Sequence, residues 1–375
     1  MNIYDINTPF LLAYDKIIQH NIWNMQRFAK KIQAQNTPHF KTHKSSHLVN
    51  AQIANGSKAI TCATLSEAEL LTRQGIKNII LAYPVVGKIN YQRFINLLEY
   101  TKVIPVFDSV VSVKNLDEYL KSRTIDKVDY YLEIDTGLNR LGVLPEVALK
   151  IIKKLLSATK VMNLIGILSH AGHSYSCKNV EEVYEIAMQE HKTMLTIKEI
   201  VKKETGLDLE ISLGSTPTLK SGFIPEGITN IRPGNYVYND AIGINIGYSS
   251  SQECALRIIS RVISKHGSRI IIDAGSKSLG LDLGAHSMNT MDSYGLILDR
   301  PGSNKIIKDM KIKRLSEEHG IIENLSDKRL KVGDVIEIIP NHACYVANLF
   351  DNMYLVDNES NILEKLKVDG RGLST

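Results

Sequence analysis

The chain has 375 residues, 43% of them hydrophobic, and 45 basic against 40 acidic side chains give a formal net charge of +5. This length exceeds the size at which one hydrophobic core usually stops growing, so we expect one large barrel and a second domain. The charges are scattered without a long basic run, which argues against nucleic acid as a partner.

Cysteine spacing and the N-terminal stretch indicate the compartment. The spacing matches neither a zinc finger nor a disulfide framework, and the four residues are Cys62, Cys177, Cys254 and Cys344. A reducing compartment is therefore expected. The opening MNIYDINTPFLLAYDK has no charged segment followed by an apolar core, and no later run is long enough to span a bilayer. We expect a soluble cytoplasmic protein that does not contact a membrane.

Short apolar runs alternate with amphipathic stretches over residues 38–236. This alternation is typical of βα units around a parallel sheet. The predicted strands are, in chain order, PHFKTH, KAITCA, NIILAYP, VIPVFDS, DYYLEID, LIGILSHA, LEISLGS and NIRPGNY. Helical patterns lie between them, as in LSEAELLTRQG, KINYQRFINLLEY, PEVALKIIKKLLS and VEEVYEIAMQEHKTMLTIKEIVKKETG. Eight such alternations predict a TIM-like (β/α)8 barrel.

The pattern changes after residue 245, where β-rich runs such as SYGLILD and DVIEIIPNHACYVANLF follow each other with few helical periods. We therefore predict an α/β fold with a (β/α)8 barrel over residues 8–245 and a smaller β-rich domain over residues 246–375. The early strand PFLLAY predicts that residues 1–14 join this second domain.

Polar and reactive residues collect where the predicted barrel strands end, on the face where barrel active sites form. Lys41 ends the first strand, and burial would lower its pKa, as a lysine that forms a Schiff base requires. The last two strands end in GSTPT (214–218) and RPGNY (232–236), where backbone amides hold phosphate in such barrels. Taken alone, each stretch could equally be a solvated strand end or a turn. Together they favour pyridoxal phosphate, held by Lys41 with its phosphate across the barrel mouth.

At this point the sequence resembles a known family. The stretches PHFKTHK, TCATLSEAELL, LEIDTGLNRLGV, SHAGHSY, SLGSTPT, IRPGNYVYND, IIDAGSKSLGLD, RLSEEHG and PNHACYVANLF are similar, in order, to successive blocks of the D-serine dehydratase and D-threonine aldolase family. The resemblance extends over residues 7–372. It implies a pyridoxal-phosphate barrel of the alanine-racemase type, fold type III.

The resemblance also implies roles for single residues. Lys41 would hold the cofactor, while Lys44, three residues on, stays open as an alternative that we expect to face solvent. Arg140 of DTGLNRLG would hydrogen-bond the cofactor's phenolic oxygen. His170 and Tyr175 of HAGHSY would lie beside its ring, where they bind it and act in catalysis.

The cofactor phosphate would be bound by the stretches GSTPT and RPGNY, through Gly214, Ser215, Thr216, Gly234, Asn235 and Tyr236. Family members usually have an arginine at the position of Thr37, before the proline of PHFKTH. This departure leaves open how the first strand is anchored.

The stretch NHAC places His342 and Cys344 two residues apart. Residues i and i+2 of a strand point to the same face, so imidazole and thiolate could meet one ion. The stretch lies in the family's metal-binding block, and nitrogen with thiolate favours zinc over magnesium or manganese. With two protein ligands visible, open positions would remain for water or substrate.

These features imply a lyase for D-3-hydroxy amino acids, with dehydration of D-serine to pyruvate and ammonia as the first choice. The alternative is retro-aldol cleavage of D-threonine to glycine and an aldehyde; members that cleave tend to carry an acidic residue where this chain has Cys344. A racemase needs no such metal, and a non-catalytic cofactor-binding protein would lose the metal pair. The family architecture implies a homodimer with the β domain of one subunit near the barrel mouth of the other.

Overall fold

The computed structural model describes residues 3, 6–123, 125–285, 289–324 and 330–375. Of the predicted N-terminal segment 1–14, residues 1, 2, 4 and 5 lie outside these ranges. Two sheets organise the described residues, one parallel and one mixed. Within the described ranges, no helix combines the length and the apolar character that crossing a membrane requires.

Strand β1 (Phe10–Tyr14) and helix α1 (Asp15–Lys31) precede the barrel. The barrel strands are β2 (Gln35–Asn36), β3 (Ile60–Cys62), β4 (Asn78–Leu81), β5 (Lys102–Phe107), β6 (Val128–Ile134), β7 (Met162–Ser169), β8 (Glu210–Leu213) and β9 (Asn230–Ile231). The helices between and after them are α2 (Ser46–Ala54), α3 (Leu65–Arg73), α4 (Lys88–Leu98), α5 (Val110–Lys121), α6 (Ala148–Ala158), α7 (Val180–Thr205), α8 (Thr216–Lys220) and α9 (Ala241–Ile246).

In the described part of the chain, the barrel strands form an eight-stranded sheet in the order β2-β9-β8-β7-β6-β5-β4-β3. Neighbouring strands are parallel throughout. A parallel bridge between His39 and Thr61 joins the two ends of this order. The prediction of a (β/α)8 barrel is confirmed.

The predicted barrel elements form because local signals agree with burial. Strand β6 is almost continuously buried, as expected of a strand covered on both faces. Helix α3 begins where the side chain of Thr64 accepts a hydrogen bond from the Glu67 amide, and α7 begins with the same bond from Glu182 to Asn179. Helix α7 ends at Gly206, whose φ of 75° suits glycine.

The prediction for the first barrel strand is wrong in its bounds. Strand β2 ends at Asn36, and Phe40–Thr42 forms a 3-10 turn that carries Lys41. The amides of Thr37 and His39 still donate to the carbonyls of Ile231 and Pro233, while Pro38 faces β3 and accepts a bond from the amide of Thr61. Lys41 therefore lies on a turn above the barrel rim instead of at the end of a strand.

Thr37 anchors this edge without the arginine usual in the family. Its amide and its hydroxyl donate to the carbonyl of Ile231 at 2.9 and 3.1 Å. Its own carbonyl accepts a bond of 2.6 Å from the hydroxyl of Thr61. Thr37 thus connects the strands on both of its sides.

The mixed sheet contains β1 and the strands that follow the barrel: β10 (Leu256–His266), β11 (Arg269–Ile272), β12 (Leu296–Ile297), β13 (Met310–Leu315), β14 (Gly320–Asn324), β15 (Val335–Ile339), β16 (Asn352–Val356) and β17 (Ile362–Lys367). Two short helices interrupt them, α10 (Ser276–Leu279) and α11 (Ala343–Ala347). Strand β1 lies between β10, to which it is antiparallel, and β16, to which it is parallel. The predicted smaller β-rich domain after the barrel is confirmed.

Candidate active site

A cavity lies at the carboxyl ends of the barrel strands. One part measures about 400 Å³ and an adjoining part about 290 Å³. Both parts are lined by His39, Lys41, His170 and Arg232. The turn that carries Lys41 therefore stands where the two parts meet.

Lys41 is partly buried in this cavity. Burial lowers the pKa of its amine, with Arg140 acting in the same direction, while the thiolate of Cys344 and the carboxylate of Glu67 oppose the shift. A lysine with a lowered pKa has a larger neutral fraction near pH 7, and the neutral amine is the nucleophile.

The expectation that Lys44 faces solvent is wrong. Its side chain is 11% exposed, and its ammonium lies 2.8 Å from the buried carboxylate of Glu67. Lys44 has φ of 51°, so the backbone turns there and directs its side chain toward helix α3. Of the two lysines of KTHK, Lys44 is committed to an ion pair and Lys41 is the one that stands between both parts of the cavity.

His170 and Arg232 form the floor of the cavity. His170 Nδ1 lies 3.1 Å from the carbonyl oxygen of Gly214, so this nitrogen carries the proton. Burial and the charge of Lys41 hold the pKa of His170 well below its usual value, so the ring is neutral. Arg232 is buried and donates to the hydroxyl of Ser212 at 2.6 Å and to the carbonyl of Ser169. Burial lowers the pKa of Arg232 to about 10.

Five of the six predicted phosphate-binding residues line the cavity, and Tyr236 does not. The larger part of the cavity is lined by Ser215, Thr216, Gly234 and Asn235, and the smaller part by Gly214. Thr216 and Asn235 begin short helical turns, and the amide of Thr216 is hydrogen-bonded to Tyr175. A Cβ on Gly234 would lie 2.8 Å from the hydroxyl oxygen of Thr42, so the absence of a side chain keeps this cradle open.

Tyr175 and Tyr236 are placed differently. Tyr175 is buried, lines the larger part of the cavity and is hydrogen-bonded to Thr216. Burial raises its pKa well above the usual value, so the phenol keeps its proton. The hydroxyl of Tyr236 instead accepts a bond of 3.0 Å from Gln52, and its amide donates to the hydroxyl of Thr216 at 3.1 Å. Tyr236 therefore supports Thr216 from behind the cavity wall.

Arg140 lines the smaller part of the cavity, with 46% of its side chain exposed. Its Nη2 lies 3.9 Å from a carboxylate oxygen of Glu133. Glu133 is buried, and burial raises its pKa, although Arg140 opposes the shift. The guanidinium therefore points into the cavity beside Glu133 and is not a free surface charge.

These observations fit pyridoxal phosphate. A lysine with a lowered pKa stands in the cavity, Gly234 keeps space beside it, and the guanidinium of Arg140 lines the smaller part. The residues that would hold the group are Lys41 for its aldehyde, the GSTPT and RPGNY turns for its phosphate and Arg140 for its phenolic oxygen.

The expectation that His342 and Cys344 share a strand is wrong. Strand β15 ends at Ile339, before Pro340, and the chain then enters α11 with His342 at its N-cap position. The two side chains nevertheless contact each other and line the larger part of the cavity. The hydroxyl of Thr42 lies 3.2 Å from the Cys344 sulfur, so the pair also borders the turn of Lys41.

Opposite charges couple His342 and Cys344, and the imidazolium would have to release its proton before it could bind a metal. Burial alone would lower the pKa of His342, but the Cys344 thiolate and the Asp240 carboxylate raise it to about 10. Burial alone would raise the pKa of Cys344, but His342 and Lys41 lower it. A thiolate is the form in which cysteine binds metal.

Asp240 is a site residue that the sequence analysis did not assign. Its Oδ2 lies 3.3 Å from Nδ1 of His342 and accepts bonds from the Asn235 side chain and the Ala343 amide at 2.7 and 3.0 Å. A carboxylate at one ring nitrogen leaves the other for an ion. Asp240 belongs to the quoted stretch IRPGNYVYND, but nothing in that stretch indicates a contact with NHAC.

Nitrogen and sulfur donors side by side fit zinc. Among the described residues there is no group of three or more His, Cys, Asp or Glu side chains arranged to hold a metal ion. His342 and Cys344 would therefore leave coordination positions to substrate or water.

Comparison with known proteins identifies relatives of the chain over both of its sheets. The family model described as alanine racemase, N-terminal domain, matches residues 16–241, and the model described as putative serine dehydratase domain matches residues 255–356. A D-serine dehydratase of Dictyostelium discoideum is 25% identical over 396 residues, covering 98% of this chain and 97% of that protein. A D-threo-3-hydroxyaspartate dehydratase of Delftia sp. (strain HT23) is 28% identical over 352 residues, covering 90% and 91%.

A solved structure of a D-threo-3-hydroxyaspartate dehydratase, a cysteine-to-alanine mutant in the metal-free form, matches with a TM-score of 0.88 at 25% identity and covers 98% of each chain. The sequence resemblance is therefore confirmed over the barrel and the domain that follows it. The chain belongs to the family defined by the alanine racemase N-terminal domain, and it carries a serine dehydratase domain after the barrel.

Proposed function

We propose that this protein is a pyridoxal-phosphate-dependent lyase that removes the hydroxyl group of D-3-hydroxy amino acids, with D-serine converted to pyruvate and ammonia. The observation that carries the proposal is that Lys41, with its lowered pKa, lines one cavity together with His342 and Cys344, which bring a nitrogen and a sulfur donor into contact. The dehydratase names of the relatives described above support it.

The cofactor half of the site would act on the α-carbon. When bound, pyridoxal phosphate supplies an electron sink for the negative charge left when a bond to that carbon breaks. Lys41 would hold the cofactor at rest and, once displaced by substrate, take the α-proton on its neutral amine. Neutral His170 would add no further positive charge beside Lys41, and protonated Tyr175 would keep Thr216 in place at the phosphate cradle.

The metal half would act on the β-hydroxyl. Zinc, when bound, supplies a Lewis acid that makes hydroxide a better leaving group. His342 and Cys344 would hold the ion, with Asp240 orienting the imidazole. Two protein ligands would leave room for the substrate hydroxyl.

We also propose a homodimer with a domain boundary at residues 245–246. Large apolar side chains are exposed on the segments that follow barrel strands β4, β5 and β6, at the mouth of the cavity; they are Tyr83, Val86, Ile89, Val111 and Leu144. Exposed apolar groups around one face favour a protein contact. Sedimentation of the protein as a monomer with full activity would contradict this assembly.

The free thiols of the four cysteines support a reducing compartment such as the cytoplasm.

The decisive experiment measures products from D-serine, D-threonine and D-alanine, with and without zinc. We expect pyruvate from D-serine when zinc is present, and none from the matched Lys41→Ala variant. Glycine and acetaldehyde from D-threonine as the dominant activity would favour an aldolase instead. Racemised alanine without pyruvate would refute the proposal.

A second experiment separates the two halves of the site. The variant Cys344→Ala, or treatment with a chelator, should abolish pyruvate formation while the absorbance of the bound cofactor stays unchanged. Loss of the cofactor together with the ion would show that His342 and Cys344 have a structural role.

A further inference from the structure

The wall of the cavity next to Cys344 is formed by the turn after Lys41 and by the end of helix α11. Lys44, Asn348 and Leu349 line the cavity there. A substituent on the third carbon of a substrate, next to the metal pair, would meet this wall. The charges on the wall therefore bear on which substituents the site accepts.

One turn near the end of the described chain holds this wall together. The amide of Gly370 donates to the carbonyl of Lys44 at 2.8 Å. The amide of Gly372 donates to the side-chain oxygen of Asn348 at 3.1 Å. Lys44 and Asn348 are thus fixed side by side, and Asn348 is left with its neutral NH₂ group to offer a ligand.

The charge of Lys44 is already compensated. Its ammonium lies 2.8 Å from Glu67, whose side chain is fully buried. The other carboxylate oxygen of Glu67 accepts a bond of 2.6 Å from the amide of Ala63, so the carboxylate is held in place. The ion pair presents no net charge to the cavity.

The remaining cations of the cavity have other partners. Lys41 is the residue that would hold the cofactor. Arg140 lines the far part of the cavity beside Glu133, and Arg232 is buried against Ser212. Among the described residues that line the wall next to Cys344, none is an uncompensated cation.

We infer that the site takes D-3-hydroxy amino acids whose third carbon carries hydrogen or methyl, discriminates against those that carry a carboxylate there, and uses the Lys44–Glu67 ion pair as its specificity determinant. The inference rests on the proposed function. A carboxylate desolvated at this wall would find no uncompensated cationic side chain there and would lie near the carboxylate of Glu67. D-Serine and D-threonine would bring no such charge.

The test compares kcat/KM for D-serine with kcat/KM for D-threo-3-hydroxyaspartate in a charge series at this wall. The wild type should favour D-serine. Glu67→Gln leaves the ammonium of Lys44 uncompensated, so the preference for D-serine should fall by about tenfold or more. Lys44→Gln leaves the carboxylate of Glu67 alone, so the preference should rise. The double variant restores a neutral wall and is the matched control, with a preference close to that of the wild type.

His342 and Cys344 are unchanged across the series, so the attraction of the ion for a carboxylate is constant. Cofactor absorbance and thermal unfolding establish that each variant is folded; if Glu67→Gln is not, Lys44→Gln and the double variant still define the trend. A wild type that prefers the hydroxyaspartate, or ratios that do not follow the wall charge, would overturn this inference and leave the lyase assignment intact. Absence of 2-oxo acid from both substrates in folded, cofactor-loaded wild type would overturn the proposed function itself.

Discussion

The substitution Gly234→Ala would place a methyl group in the cradle beside Lys41. The added Cβ would lie 2.8 Å from Oγ1 of Thr42 and 3.2 Å from Cβ of His39, and these two residues flank the turn that carries Lys41. Gly234 has φ of −118°, which alanine adopts without strain. The whole effect therefore comes from the overlap with the turn.

The size of the effect follows from that overlap. Favourable contacts between non-bonded heavy atoms lie near 3.5 Å, so Thr42 must move by about half an ångström or more. Overpacking of this kind typically costs about 1–3 kcal/mol. Because the strained atoms form the cradle, we expect most of this cost in cofactor binding, as a rise in the dissociation constant of about 5- to 150-fold.

The assay titrates the metal-loaded apoprotein with pyridoxal phosphate and follows absorbance. The companion variant Thr42→Ala removes the oxygen that the new methyl group meets, and the double variant should bind the cofactor more tightly than the product of the two single effects implies. Wild-type affinity in Gly234→Ala would refute the placement of the cradle. Strict additivity of the two substitutions would refute the contact with Thr42.

Three further predictions concern the lysine, the metal pair and the barrel itself. After borohydride reduction, mass spectrometry of Lys41→Ala should detect no cofactor covalently attached to the chain. Cofactor attached to another lysine would contradict the assignment. Asp240→Asn should weaken zinc binding by about 10- to 100-fold in competition with a chelating dye, because Oδ2 lies 3.3 Å from Nδ1 of His342; unchanged affinity would contradict it. Asp117→Ala should lower the free energy of unfolding by about 2–4 kcal/mol at pH 7, because Oδ1 accepts bonds from three successive backbone amides and Oδ2 lies 2.6 Å from Lys121. Burial would raise the pKa of Asp117, but these partners lower it in the folded state. The part of the stability difference that comes from this lowered pKa should be complete above about pH 4 and disappear as the pH falls through the folded-state pKa, as measured by denaturant titrations at several pH values.

The sequence predicts the barrel well because each of its longer strands is a continuous apolar run between amphipathic helices. Strands β4 to β8 lie within the stretches expected of them, give or take a residue or two at their ends. The prediction fails at β2, where two residues form the strand and the chain enters a 3-10 turn at Phe40. A strand of two residues is too short to show a periodic pattern, so the sequence does not distinguish the turn that carries Lys41 from a strand.

The proposal that His342 and Cys344 bind one metal rests on a premise about a strand that does not hold. Pro340 follows β15 directly, and a proline after an apolar run is a signal of termination that places NHAC outside the strand. His342 and Cys344 still meet, because one precedes and the other lies within the first turn of α11. Side chains two residues apart can therefore contact each other in a β-strand and also at the N-terminus of a helix.

The partners of these groups could not be predicted in the same way. The pairs Lys44–Glu67 and His342–Asp240 join segments that are distant in the sequence. Their proximity depends on the closure of the barrel and on how the second sheet rests against its mouth. These positions show no periodic pattern in the sequence, so the sequence does not indicate either contact. For this reason it predicts that Lys44 faces solvent.

The two halves of the site are joined at the turn of Lys41, and this has a chemical consequence. From the second half of the chain, Cys344 lies 3.2 Å from the hydroxyl of Thr42, and the carboxylate of Asp369 accepts bonds from the amide and the hydroxyl of Ser46, where α2 begins. The segment that would hold the cofactor is thus fixed by the domain that would hold the metal. A base at the α-carbon and an ion at the β-hydroxyl must act on one substrate at a constant distance, and a shared turn keeps that distance independent of motion between the domains. A barrel with Lys41 alone could remove a proton, but elimination requires both groups in register, which is why the contact at Thr42 matters as much to the proposed chemistry as either site residue.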